Sequence, residues 1–220
     1  MQRVFDRIAR FDERSRAFNI RTLFRKKEFV PVTKIWGCRV HLDQGSEGAC
    51  PGFGTAHELA SDPVRVPRVT ARMARKIYNL AKTLDQWPGE DYEGSSVLAA
   101  AKAAKQLGYY QEYRWSFDID DLLQALCTIG PAIIGIPWYE GMENVDRKGF
   151  LHPDGLWVGG HCFCLRGWNN DREAFVGRNS WGRSWGCNGD FNISYPDLKK
   201  LLKEDGEACI PLIRTTGENP

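Results

Sequence analysis

The chain has 220 residues, 42% hydrophobic and 26% charged, with a formal net charge of +2. That length suits one large domain or two small lobes sharing a core, and such a chain buries roughly 70–75% of its unfolded surface without needing staples. The small net charge favours neither a nucleic-acid nor a membrane partner, and no stretch approaches the ~18 apolar residues of a membrane span.

Met1-Gln2-Arg3-Val4-Phe5-Asp6-Arg7-Ile8 holds no apolar run. No secretory signal is expected, and reduced thiols in a cytoplasm are the default. Seven cysteines is an odd count, so at least one thiol stays free unless it pairs between chains. Met1 to Phe11 predicts a short amphipathic helix through Val4, Ile8 and Phe11. The basic cluster Arg21, Arg25, Lys26 and Lys27 has only Phe24 interleaved, so it reads as a solvated face, not a single-strand-binding surface. Residues 29–40 read as extended, broken by Pro31 and Gly37.

Cys50 to about Ser61 predicts a buried helix of small apolar residues, with Pro51 suited to its first position. Pro63 and Pro67 break the chain. Thr70 to Leu84 predicts a second helix: Val69, Met73, Ile77, Leu80, Ala81 and Leu84 fall at three- and four-residue spacings, opposite Arg72, Arg75, Lys76 and Lys82. Trp87 to Asp91 is a loop. Ser95 or Ser96 caps a third helix from Val97 to Leu107, ended by Gly108. Tyr109 to Phe117 is extended, and Asp120 to Cys127 is a short helix. The character then changes. Gly130 to Ile136, Val158 to Trp168, Phe175 to Ser180 and Asp190 to Ser194 read as strands, with a late helix from Asp197 to Glu204. Helices first and strands later predict an α+β protein of two lobes: an N-terminal extension over 1–28, a mainly helical lobe over 29–118, and a mainly β lobe over 119–220. Residues 29–40 are free to pair with the latter.

A cysteine at a helix start is a candidate nucleophile, because unpaired N–H groups and the helix dipole favour thiolate over thiol. The alternative is an inert buried thiol. A nucleophilic thiol needs a base, and the base an orienting partner. Among four histidines, His57 lies about 10 Å along the helix from Cys50, too far to deprotonate it. His41 suits a surface position, and His152 lies in a turn. His161 enters a strand after Gly159 and Gly160, which permit close backbone approach. Asn179 follows, with Trp181 and Trp185 close behind. An asparagine carbonyl can fix one imidazole nitrogen while the other faces the thiol, and a tryptophan there keeps water away. Cys162 and Cys164 share the strand face opposite His161, so no common metal is expected, and no cofactor. Cys38, Cys127, Cys187 and Cys209 read as buried thiols.

The segments Gln44-Gly45-Ser46-Glu47-Gly48-Ala49-Cys50, Gly159-Gly160-His161 and Asn179-Ser180-Trp181-Gly182-Arg183-Ser184-Trp185-Gly186 resemble the papain-like (C1) cysteine peptidases, in that family's order. The resemblance spans about residues 30 to 200 and looks like the compact bacterial and phage-encoded branch. It implies a two-lobed papain-like fold, the nucleophile's central helix in one lobe and a β-barrel-like second lobe. It also implies Cys50 as nucleophile, His161 as general base and acid, Asn179 as its orienter, and Gln44 with the Cys50 N–H as the oxyanion hole. Trp181 then shields the His161–Asn179 bond. Gly94, Ser95 and Gly160 are assigned to substrate binding with Trp181; Tyr110, Trp138 and Tyr139 belong either to the cleft wall or to the core. The implied partner is a peptide or protein substrate.

Three departures stand out. The family signature C-G-[SA]-C-[WY] becomes Glu47-Gly48-Ala49-Cys50-Pro51, so Glu47 stands where a disulfide cysteine is usual and Pro51 where an aromatic is usual. His161 follows Cys50 by 111 residues, fewer than the ~130–150 of the family. Nothing resembling a long inhibitory propeptide is expected ahead of residue 29. The residues leave open an amidase or transpeptidase with the same thiol, and a non-enzymatic binding protein on this scaffold.

Overall fold

The computed structural model describes residues 5, 7, 13–24, 28–85 and 94–215. Two short 3-10 segments, Glu13–Phe18 and Ile20–Leu23, precede a two-residue strand β1 (Lys34–Ile35). Helix α1 (Cys50–Leu59) follows, and all ten of its residues are buried. Two glycines permit that. A Cβ on Gly52 would strike the carbonyl of Ala74 and the backbone of Tyr78 in α2 (Ala71–Leu84). A Cβ on Gly54 would lie 3.1 Å from the Cys162 Sγ and 3.2 Å from the Phe163 backbone. Two residues apart is about 200° around a helix, so α1 is clasped between α2 on one side and the sheet on the other.

Helix α2 is amphipathic, as its spacing predicts. Ala74, Ile77, Tyr78 and Ala81 are buried, and the Thr70 hydroxyl accepts from the Met73 N–H at its start. Ser96 caps α3 (Val97–Gln106) by accepting from the Ala99 N–H. The Asp85 carboxylate accepts from the Ser95 hydroxyl and the Ser96 N–H, which ties the end of α2 to the start of α3.

The remaining elements are β2 (Tyr110–Ser116), α4 (Ile119–Thr128), β3 (Ala132–Tyr139), β4 (Trp157–Asn169), β5 (Ala174–Arg178), β6 (Asp190–Ser194), α5 (Tyr195–Lys203) and β7 (Glu207–Arg214). The strands form a seven-stranded sheet in the order β2-β7-β3-β4-β5-β6, with β1 also pairing to β4. Every pairing is antiparallel. Two cores result. One gathers α1, α2 and α3 with Ile133, Cys162 and Cys209. The other gathers α4, α5 and the opposite sheet face around Trp138, Phe163, Trp181 and Phe191. This mixed architecture is the α+β papain-like arrangement anticipated from the chain.

Three expectations need correction. Strand β7 was not anticipated, because Pro211 in mid-run argues against a strand. Its pairing to β3 ends at Cys209, so Pro211 has a neighbour only in β2, and a one-sided position tolerates proline. The helix over Met1–Phe11 is absent at the positions described: Phe5 lies outside regular structure and Arg7 forms a β-bridge with Ser95. Val4, Ile8 and Phe11 lie outside the described residues, as do Arg25, Lys26, Lys27 and the loop from Trp87 to Asp91. Arg21 is solvated, as read, and its exposed side chain pairs with Asp121 at 2.8 Å and Asp118 at 3.5 Å. Cys187 is exposed and Cys38 and Cys127 half-buried, because Cys38 and Cys187 lie in the segments between elements and Cys127 in the last turn of α4, whereas Cys209 faces the helical core.

Candidate active site

The site forms where the two cores meet. Strand β4 carries His161 opposite Ile136 of β3, and alternation sends Cys162 into the helical core and Phe163 into the other. Asn179 ends β5. Its Oδ1 lies 2.8 Å from the His161 Nε2 and also accepts the Ser180 N–H at 2.8 Å. Both His161 and Asn179 are buried. Trp181 lies against the imidazole at 5.0 Å between ring centroids. Trp138 covers another side at 4.7 Å, edge-on. Sequence reasoning left Trp138 between cleft and core; its position at the end of β3, paired to Gly159, puts it on the histidine.

The loop before Cys50 is pinned to the segment after Asn179. Gln44 donates its backbone N–H to the Ser180 carbonyl at 2.9 Å, and its Oε1 accepts the Ser180 hydroxyl at 2.5 Å. Asp43 bridges Trp181, and the Gly182 N–H donates to Leu42. Arg178, just before Asn179, pairs with Asp190 at 2.5 Å and donates to the Val40 carbonyl. Gln44 also donates Nε2–H to the Glu47 carbonyl at 2.7 Å, which shapes the turn into α1. No side chain caps α1, and Pro51 stands in its first turn. Cys50 therefore sits at the positive end of a short helix dipole. It precedes by one turn, about 6 Å, the Gly54 contact with Cys162 and Phe163. Cys50 is close enough to Cys162 to help push that thiol up, although burial is the larger cause.

The other histidines are occupied elsewhere. Buried His57 accepts the Leu42 N–H at Nε2, and burial, with Arg178 nearby, holds its pKa well below the ordinary value. His41 is half-buried, and burial lowers it too. His152 lies 3.1 Å from Asp146. Tyr110 is core, bonded to Glu58. Tyr139 donates to Glu204 at 3.0 Å, away from the histidine. Glu47 pairs with Arg75 of α2 at 2.6 Å, an exposed ion pair at the position noted as unusual. Among the described residues no cluster of three or more His, Cys, Asp or Glu could hold a metal, and no helix is long and apolar enough to cross a membrane.

The residues assigned to substrate binding do converge, and they meet part of the chain itself. The Gly160 carbonyl accepts the Arg7 N–H at 3.1 Å, and Ser95 bridges Arg7 from the helical side. Gly94 is buried beside Ser95. Phe5 lies 5.8 Å from His161 and 5.8 Å from Trp181, both edge-on. Gly159 admits it: a Cβ there would come within 2.6 Å of the Phe5 Cβ. Phe5 and Arg7 were missed as site residues because their partners are distant in sequence. The same holds for Glu207, which binds Arg7.

No family model matches the chain. It is 24% identical over 199 residues to an uncharacterized peptidase C1-like protein of Acanthamoeba polyphaga mimivirus, covering 70% of this chain and 64% of that one. It is 33% identical over 100 residues to cathepsin B of Dictyostelium discoideum, covering 44% and 32%. The chain thus spans less than two thirds of these relatives' own lengths. Among solved structures, xylellain, a cysteine protease from Xylella fastidiosa, superposes with a TM-score of 0.65 at 16% identity, covering 97% of this chain and 99% of that one. Bromelain from Ananas comosus, in complex with the E64 inhibitor, gives 0.59 at 14% identity, covering 80% and 94%.

Proposed function

We propose that this chain, a member of the papain-like C1 cysteine peptidase family by sequence relationship and fold, hydrolyses peptide bonds of peptides or proteins through Cys50. The observation that carries the reading is the buried 2.8 Å contact between His161 Nε2 and Asn179 Oδ1, walled by Trp138 and Trp181. A histidine so held has one nitrogen committed to orientation and the other for proton transfer. Gln44, tied to the residue after Asn179, keeps one N–H for a developing oxyanion beyond the one it gives Glu47.

The chemistry runs as follows. The Cys50 thiolate adds to the peptide carbonyl carbon, forming a C–S bond and sending the π electrons to oxygen. Gln44 Nε2–H and the Cys50 backbone N–H stabilise that oxyanion. On its collapse the C–N bond breaks, and the His161 imidazolium gives its proton to the leaving amine. Water then adds to the thioester as His161 takes its proton. The C–S bond breaks, releasing the carboxylic acid and restoring the thiolate–imidazolium pair.

The test is hydrolysis of fluorogenic peptide amides by the full chain and its Cys50→Ala variant. Activity in the first and none in the second supports the reading. Equal activity in both removes Cys50 from the mechanism. Added amines, with products read by mass spectrometry, separate hydrolysis from acyl transfer: free acids are expected, and predominant amide products would replace the peptidase reading with a transferase one.

A further inference from the structure

We propose that the cationic groove along α2, built from Arg68, Arg72 and Lys76, binds an acidic, extended segment of a protein substrate at a distance from the bond being cut. That role rests on the peptidase reading; the binding itself does not.

Helix α2 buries Ala74, Ile77, Tyr78 and Ala81 and turns its cations outward. Arg75 and Lys76 follow Arg72 by three and four residues, which groups them on one face. Arg68, in the turn before the helix, extends the line. Together they line a cavity of about 1000 Å³, whose other walls include Val66, Met73 and Tyr109. Among the described residues no acidic side chain lines it. Arg75 is already matched, because it pairs with Glu47 at 2.6 Å. Arg68, Arg72 and Lys76 are exposed and have no ion-pair partner among the described residues.

Three unmatched cations on one face make a strong local field in a chain whose net charge is only +2. That field acts against the fold, since like charges one helical turn apart repel. An anion seated between them removes the repulsion, so the groove gains from being filled. Arg68 adds a second sign of a built surface. Its φ of 55° lies in the left-handed region that a β-carbon disfavours, yet an arginine stands there and lines the cavity.

The spacing selects the kind of anion. Arg72 and Lys76 lie one turn apart, about 6 Å along the axis. Alternate side chains of an extended peptide repeat every ~6.8 Å. Carboxylates at every second residue therefore meet successive cations, while the intervening side chains point away. A single-stranded nucleic acid would need ring faces for its bases, and half-buried Tyr109 is the one aromatic residue in the lining among the described residues.

The groove is also joined to the proposed catalytic loop. Glu47, the partner of Arg75, accepts the Gln44 Nε2–H through its carbonyl at 2.7 Å. At the end of α2, Asp85 accepts from Ser95 and Ser96. Helix α2 thus connects the groove to the loop before Cys50 at one point and to the segment proposed to hold substrate backbone at another.

Two arms test this. In the first, fluorescence anisotropy follows a labelled peptide with glutamate at every second position, and its glutamine counterpart, on the full chain bearing Cys50→Ala. The glutamate peptide is expected to bind on the order of tenfold more tightly, as three exposed ion pairs allow, and the gap to close at roughly 0.5 M salt. Arg68→Glu, Arg72→Glu and Lys76→Glu together should erase the preference, while Lys199→Glu with Lys203→Glu, at exposed positions of α5, should leave it. Equal binding of the two peptides overturns the proposal. So does loss of the preference in both variants, which would mark a general charge effect. An oligothymidylate of equal charge that outbinds the glutamate peptide through the same three residues overturns it too, in favour of nucleic acid. If the triple substitution fails to fold by circular dichroism, Lys76→Glu alone decides: a several-fold loss of the preference is expected, and an undiminished preference overturns the proposal.

In the second arm, the active chain cleaves an internally quenched peptide with and without a glutamate-alternating tail, joined through a Gly-Ser linker at either end. The tail at one end is expected to raise kcat/KM about fivefold, through KM, and the triple substitution to remove that advantage. Cleavage with no advantage from either tail overturns this inference and leaves the peptidase standing. Discriminating binding without any cleavage supports the groove and overturns the peptidase instead.

Discussion

Gln44 and Ser180 hold each other twice. The Gln44 backbone N–H donates to the Ser180 carbonyl at 2.9 Å, and the Ser180 hydroxyl donates to the Gln44 Oε1 at 2.5 Å. The residue proposed for the oxyanion hole is thereby clamped to the neighbour of the residue proposed to orient the base. Ser180→Ala removes one clamp while touching no reacting atom. It is expected to leave a buried Gln44 acceptor unmet, costing about 1–3 kcal/mol of stability in denaturant melts. It should also lower kcat on the order of tenfold with little change in KM. Gln44→Ala should lose roughly a hundredfold in kcat. Wild-type kinetics in Ser180→Ala would show that the clamp does not position Gln44.

Asn179 accepts from His161 Nε2 and from the Ser180 N–H with the same oxygen. Asn179→Ala should lower kcat on the order of tenfold to a hundredfold, as loss of an orienting partner does in other histidine sites. The fall should appear in kcat more than in KM, since the Gly160 backbone proposed to bind substrate is untouched. A change confined to KM would move Asn179 from positioning to binding.

Cysteine reactivity should divide by environment. Burial pushes the thiols of Cys162, Cys164 and Cys209 well above the ordinary range, and all three are inaccessible. Iodoacetamide should leave them unmodified in the native protein and label them after unfolding. Cys50 is as buried as they are, so its labelling requires the site to open; it should then be labelled ahead of the exposed Cys187 in mildly acidic buffer, because a thiolate paired with an imidazolium persists where an ordinary thiol is protonated. Tryptic mapping by mass spectrometry reads the order; Cys187 reacting first would count against the ion pair.

His57 makes acid stability a specific expectation. Its folded-state pKa lies well below the ordinary 6.5, because burial disfavours the charged ring. The unfolded chain therefore binds the proton first. The contribution is fully present above about pH 6.5 and shrinks as pH falls from there toward the folded-state value, by up to ~1.4 kcal/mol per pH unit. His57→Gln keeps an oxygen that can accept the Leu42 N–H and removes the titration. Its melting temperature should fall less than that of the parent between pH 6.5 and 5. Parallel curves would show that His57 does not set the acid limb.

Gly52 is the tightest point between α1 and α2. A Cβ there meets backbone atoms of Ala74 and Tyr78, which cannot swing aside. Gly52→Ala should cost about 1–3 kcal/mol as overpacking, lowering Tm by roughly 2–4 °C per kcal/mol. Because α1 carries Cys50, activity should fall with it. An unchanged melting temperature would mean that the two helices separate freely.

Much of the fold was legible because local rules and tertiary demands agree. The Ala-rich run after Ser96, the amphipathic spacing of α2 and the largely apolar run of β4 each state their element directly. The Cys50, His161 and Asn179 segments were legible for a different reason, since each motif carries its own backbone geometry. The Phe5–Arg7 segment was not. Its residues read as an amphipathic helix, and only partners beyond residue 90 turn Arg7 into a bridge and Phe5 into a cover for His161. Trp138 and Glu207 were hidden likewise, one at a strand end and one in a strand containing a proline.

The sequence by itself determined the chemistry available: a thiol at a helix start, a histidine entering a strand, an amide oxygen to orient it, and glycines where chains must touch. Those are local properties, set by residue type and near neighbours. The tertiary structure decided what surrounds them. It chose Trp138 as a second wall, locked Gln44 to Ser180, and brought Arg7 to Glu207 across 200 residues of chain. No local preference encodes such a contact, because burying that guanidinium is favourable only once β7, Gly135 and Val97 have already built the pocket around a carboxylate.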